Sequence, residues 1–260
     1  MIYENHLRNH VVYPGREKAL EIFLKQDYKG MRHKWKNRLN SHSEDALTWS
    51  CFDAISQLPF PKKIEALDEI LEDSFNDEKS EFNCNFNFKD QNYKENEIGI
   101  FIGKKYSGIS IKEDTEVDAS IEMPDKIIFF EAKLYSSISL ADGEKKPHDQ
   151  IARKLRVGLD YANHEKKEFY FIFLDIAPSG VLLKFAKGKS KEKALDNSKG
   201  KWKSAWWFNY YKVGRNNSRS PLKIALEGID VPSVESVADN MGWLTWGDLF
   251  KIVLRGTIPT

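Results

Sequence analysis

The chain has 260 residues, 40 Lys and Arg against 39 Asp and Glu, and is 41% hydrophobic and 13% aromatic, which supplies one large core and excludes a disordered chain. No apolar run approaches the ~20 residues that cross a bilayer, and the first ten residues lack the apolar centre of a secretion signal. The expectation is a cytoplasmic protein with no membrane partner. Cys51 and Cys84 are too few for a disulfide scaffold or a four-thiolate zinc site.

Taken in chain order, residues 16–39 read as a helix, apolar at Ala19, Leu20, Ile22 and Phe23 and basic in its second half. A second helix over 43–58 is stopped by Pro59 and Pro61 and turns Leu47, Cys51, Ile55 and Leu58 to one side. Residues 74–97 are Asn-rich, polar and irregular. Ile98, Ile100 and Ile102 alternate as a strand, and 104–108 form a turn. Val117, Ala119 and Ile121 alternate with Glu116, Asp118 and Ser120, turn at Pro124-Asp125, and return as a strand over 127–133. A helix over 147–162 follows, then strands over 169–175 and 181–185. Segments 232–239 and 245–254 read as helices, the latter opened by a Thr245–Asp248 capping box. This order predicts a mixed β-sheet flanked by helices, an α/β (α+β) core. The expected organisation is a helical segment over 1–42, a core over 43–185, and a basic, aromatic-rich region over 186–260 packed on that core.

The near-zero net charge conceals segregation. Residues 65–125 carry 17 acidic and 6 basic side chains, whereas 181–225 carry 12 basic and 2 acidic. A basic stretch of this kind suits a polyanion, nucleic acid first among them, although a solvated lysine-rich loop has the same composition.

The hairpin carries the chemistry. With Pro124-Asp125 as a two-residue loop, Asp118 falls opposite Glu131, and Lys133 and Glu116 share their face, while Val117, Ala119, Ile121 and Phe130 face a core. Two opposed carboxylates at ~4 Å repel by about 4 kcal/mol at an effective dielectric of ~20, a cost that a hard divalent cation reverses. An ion pair of Lys133 with Glu131 or Glu116 would explain the same residues without any metal. Glu44, at the end of the apolar stripe of the second helix, supplies a third carboxylate. Ser41-His42-Ser43-Glu44 equally fits a capping box with Ser41 as N-cap. No phosphate-cradling or dinucleotide-binding glycine pattern occurs.

Asp118, then Glu131-Ala132-Lys133 at the end of an apolar strand, with helical Glu44 upstream, resembles the PD-(D/E)XK nuclease superfamily, whose core is restriction-endonuclease-like. Asp118 follows Val117 rather than Pro; the literal Pro124-Asp125 lies in the turn, away from Glu131. The resemblance covers about residues 43–175. It implies that Asp118 and Glu131 bind Mg²⁺, with Mn²⁺ as substitute, that Glu44 and the Ala132 carbonyl add ligands, and that Lys133 activates the attacking water. It also places Gln150, at the start of the next helix, beside the site. Arg153, Lys154 and Arg156, off the apolar stripe of that helix, together with Lys201 and Lys203, are the expected phosphate contacts. The tryptophans and tyrosines interleaved with the later lysines suit base stacking or core packing. The expected activity is a Mg²⁺-dependent endonuclease acting on DNA, with restriction or phage defence as a role implied by analogy. The alternative is a non-catalytic nucleic-acid-binding module on the same fold. Concerted double-strand cutting is simplest from two sites, hence an expected homodimer.

Overall fold

A computed structural model describes residues 13–26, 33–39, 43–75, 84, 86–134, 136–176, 203–214 and 218–258. The fold is α+β, built on a five-stranded mixed sheet. Its elements are α1 (Glu17–Leu24), α2 (His33–Asn37), α3 (Glu44–Ser56), α4 (Phe60–Phe75), β1 (Gly99–Ile102), β2 (Lys105–Ser107), β3 (Asp114–Glu116), β4 (Ala119–Glu122) and β5 (Lys126–Ala132). They continue with α5 (Gln150–Glu165), β6 (Glu168–Asp175), α6 (Lys203–Lys212), α7 (Ser220–Ala225), α8 (Val234–Asp239), β7 (Met241–Thr245) and α9 (Trp246–Thr257).

The sheet runs β1-β4-β5-β6-β7, antiparallel through β5 and parallel from β5 onward, and β2-β3 form a separate ribbon. The parallel step between β5 and β6 requires a crossover, which α5 supplies. Both faces of the sheet are covered, so β5 is buried at every position and reads as the continuous apolar run KIIFFEA rather than as an alternation. Ile127, Phe129, Phe171 and Phe173 pack with α5 and α6 on one face. On the other, Ile128, Phe130, Ile172 and Leu174 pack with α3, α4 and α9. A smaller cluster joins Leu20, Phe23 and Leu24 of α1 to Ala46 and Trp49 of α3.

Several expectations change here. The helix anticipated over 16–39 ends at Leu24, and α2 is a separate short helix. Pro61 does not stop a helix but opens α4, because its missing N–H costs nothing in a first turn. Residues 105–107 are strand β2 rather than turn, and β7 and α6 arise where no element was anticipated. The strand expected over 181–185 lies outside the described residues. Thr245 caps α9 as anticipated, its hydroxyl accepting the Asp248 N–H at 3.1 Å. Among the described residues no helix is long and apolar enough to cross a membrane.

Candidate active site

The hairpin register is the one the two-residue loop dictates: Ala119 opposes Phe130, Ile121 opposes Ile128, and Met123 N donates to Lys126 O at 2.9 Å. The ladder breaks one residue before Asp118 would pair with Glu131. Val117 N donates to Lys104 O and Gly103 N to Asp118 O, so the strand anticipated over 116–122 is divided between β3 and β4. The break reverses the alternation. Val117 faces the α5 side, whereas Ala119, Ile121 and Phe130 face α3, α4 and α9, which corrects the single core face expected for these four residues. Glu116 is carried into β3, where its Oε1 lies 2.5 Å from Lys34 Nζ.

Asp118 still donates its backbone N–H to Phe130 O at 3.3 Å, and its Oδ2 accepts the Ala132 N–H at 2.8 Å, which ties it to the end of β5. Glu131 is completely buried on the α5 side of the sheet. Lys133 Nζ lies 2.6 Å from Glu131 Oε1 and 3.8 Å from Glu44 Oε2. Glu44, the first residue of α3, accepts N–H bonds from Leu134 at 2.8 Å and Ser136 at 2.9 Å, and the Ser136 hydroxyl at 2.7 Å. The carboxylate thus holds the chain leaving β5, and α3 has Ser43 as its N-cap; Ser41, the expected capping partner, lies outside the described residues. Trp246, opening α9, donates its Nε1–H to Lys133 O at 3.0 Å. Asp118, Glu131, Lys133 and Glu44 therefore meet at one end of the central strand.

Lys154 completes the set and departs from the sequence reading. It was expected on the open face of its helix, yet it is 1% exposed. Its ammonium lies 3.4 Å from Asp118 Oδ2 and in ion-pair contact with Glu131 Oε2. Lysine is almost never buried so fully unless paired. Arg156 is likewise buried: its Nε donates to Glu113 at 2.7 Å and its Nη1 to the Ala225 and Glu227 carbonyls at 2.8 Å. Neither residue stands where it meets a phosphate from solvent. Arg153 remains partly exposed, Lys201 lies outside the described residues, and Lys203 begins α6. Gln150 opens α5 one turn before Lys154, on the same face, and its Oε1 accepts the Ser139 N–H at 3.1 Å.

The cluster opens to solvent at two of its carboxylates. The side chains of Asp118 and Glu44 are 26% and 18% exposed, with Glu131, Lys133 and Lys154 behind them. Burial raises the Asp118 carboxyl, but the attraction of Lys154 and then of Lys133, with the Ala132 N–H, outweighs it and holds the group below its ordinary value. Burial lowers the Lys154 ammonium, opposed chiefly by Asp118. Asp175 is a further acidic residue that sequence reasoning missed. Parallel register places it beside Lys133, since Ala132 pairs with Leu174 and Lys133 N donates to Leu174 O at 2.7 Å. Its signal was an acid closing the apolar run of β6.

Among the described residues no three or more His, Cys, Asp or Glu side chains are gathered as a metal-binding group. The donor chemistry nevertheless suits a hard cation: all candidate donors are oxygens, and neither buried Glu131 oxygen accepts a hydrogen bond of ordinary geometry. What stands between the Asp118 and Glu131 carboxylates is the Lys154 ammonium. Comparison with protein-family models, curated proteins and solved structures returns no match to this chain.

Proposed function

We propose that the chain is a metal-dependent nuclease hydrolysing phosphodiester bonds in DNA. The observation that carries this reading is the meeting of Asp118, Glu131 and Lys133 with Glu44 at the end of β5, from a hairpin and a helix far apart in sequence. The mixed sheet flanked by helices, and the resemblance of these residues to the PD-(D/E)XK superfamily, support it. Asp118 and Glu131, with the Ala132 carbonyl, would hold Mg²⁺ or Mn²⁺. Such an ion supplies an acidified bound water and a counter-charge to the scissile phosphate.

The chain's own residues account for the rest. Lys133 is a fixed positive charge, held between Glu131 and Glu44, and it orients the attacking water and stabilises charge gathering on the phosphate. Glu44 shapes the entrance by fixing residues 134–136. Asp118, on the exposed side of the cluster, meets the substrate first. The partly exposed Arg153 and the lysine-rich region around Lys201 and Lys203 would grip the backbone through phosphate contacts.

One observation favours the second reading, a non-catalytic nucleic-acid-binding module: the Lys154 ammonium already pairs with both carboxylates. Incubation with supercoiled and linear DNA in Mg²⁺, in Mn²⁺ and in EDTA separates the two. The nuclease cuts with either metal and not in EDTA, and nicking of the circle shows internal cleavage. Salt-sensitive binding without cutting supports the module. Neither cutting nor binding would overturn both.

A further inference from the structure

Lys154 is the residue of the cluster to which neither the hairpin nor the helix motif assigns a role. Its backbone anchor is rigid. Asp149 caps α5 by accepting the Ile151 and Ala152 N–H groups at 3.1 Å, and the Tyr211 hydroxyl locks Asp149 in turn at 2.5 Å. Further along, Gly158 brings α5 so close to β6 that a Cβ there would lie 2.2 Å from the Phe169 ring. The side chain beyond that anchor is a flexible four-carbon arm.

Position shows what the arm does. The Lys154 ammonium lies 3.4 Å from Asp118 Oδ2 and in contact with Glu131 Oε2, the two oxygens that a divalent cation bridging these carboxylates would take. An ammonium and a divalent cation held together on the same oxygens would repel each other in a largely buried site, so replacement is the favoured arrangement.

From this geometry we infer that Lys154 is a tethered counter-ion, a positioning residue that holds Asp118 and Glu131 together in the metal-free protein and yields its place when a divalent cation binds. The inference rests on the metal-dependent reading above. It makes metal binding an exchange of one cation for another, so the wild-type protein binds metal more weakly than its carboxylates alone would.

The test is calorimetric titration of MnCl₂ into the full chain without DNA, for wild type, Lys154→Met and Lys154→Arg. Lys154→Met should bind Mn²⁺ at least about tenfold more tightly than wild type, equivalent to about 1.4 kcal/mol, and Lys154→Arg no more tightly. Lys154→Met should also melt lower than wild type in EDTA and regain stability with Mn²⁺. Equal or weaker Mn²⁺ binding by Lys154→Met, with wild type binding normally, overturns the tethered counter-ion and leaves the metal site standing. No Mn²⁺ binding by either protein overturns both. If Lys154→Met does not fold, amine labelling of wild type decides: Lys154 should be protected in EDTA and modified in saturating Mg²⁺, and equal protection in both contradicts the exchange.

Discussion

Glu131→Gln removes one charge and almost no volume from the most buried point of the cluster. Both carboxylate oxygens contact ammonium groups, of Lys133 at 6% and Lys154 at 1% residue exposure, so one substitution deprives two buried cations of a shared partner. Removing one member of a buried pair costs about 3–5 kcal/mol. Here each lysine keeps a second carboxylate, Glu44 at 3.8 Å and Asp118 at 3.4 Å, which puts the expected loss near the lower limit, about 3 kcal/mol. For a chain of this size that is a fall in Tm of about 6–12 °C. Urea unfolding in EDTA reads it as a lower midpoint at unchanged slope. Adding Lys154→Met should restore part of the loss, with a coupling above about 1 kcal/mol across the double-mutant cycle. A loss below about 1 kcal/mol in Glu131→Gln would refute the reasoning, because it would mean that the carboxylate is not what keeps the two lysines buried.

Three further outcomes follow from the same structure. Arg156→Ala should destabilise by about 2–3 kcal/mol, since Glu113 and two carbonyls lose their donor, while DNA affinity in a filter-binding assay stays within twofold of wild type. Gly158→Ala should cost about 1–3 kcal/mol in urea unfolding because its methyl overlaps the Phe169 ring, and retention of wild-type stability would contradict the close packing of α5 on β6. Burial lowers the Lys212 ammonium to about 8 from 10.5, although it donates to the Ala238 and Met241 carbonyls and Asp239 opposes the shift. Between those pH values the unfolded chain binds the proton that the folded chain has released. Stability therefore rises with pH across that window, by at most about 3 kcal/mol, and Lys212→Met should remove this rise in urea midpoints measured along it.

Local rules carried much of the architecture. Pro124-Asp125 set the hairpin loop and with it the pairing of Ala119 with Phe130, and the apolar runs of β5 and β6 announced central strands. What escaped depended on tertiary context. Pro61 suits a helix start as well as a stop and nothing local decides between them, so the opening of α4 is not legible in the sequence. MGWLT is too short, and broken by Gly242, to announce β7, which forms because β6 offers it a parallel partner. The reversal of alternation at Val117 and Asp118 has no turn residue to mark it and depends on bonds from Gly103 and to Lys104. In the candidate site, Asp118, Glu131, Lys133 and Glu44 were legible as residue types at a spacing. Lys154 is expected among the phosphate contacts, because a lysine off the apolar stripe of an amphipathic helix is ordinarily exposed. Only the position of α5 over the end of β5 reveals that the Asp118 and Glu131 carboxylates draw it inward.

The central claim is that this cluster cleaves phosphodiesters, and Lys133 is the residue on which it turns. The rate of supercoiled DNA nicking in Mg²⁺, compared between wild type and a Lys133→Ala variant shown to be folded, tests it most directly. Loss of one preorganised charge at the reacting phosphate predicts a fall of about 10²–10³-fold. Equal nicking by the two proteins, or none by wild type under conditions in which it binds DNA, would contradict the account.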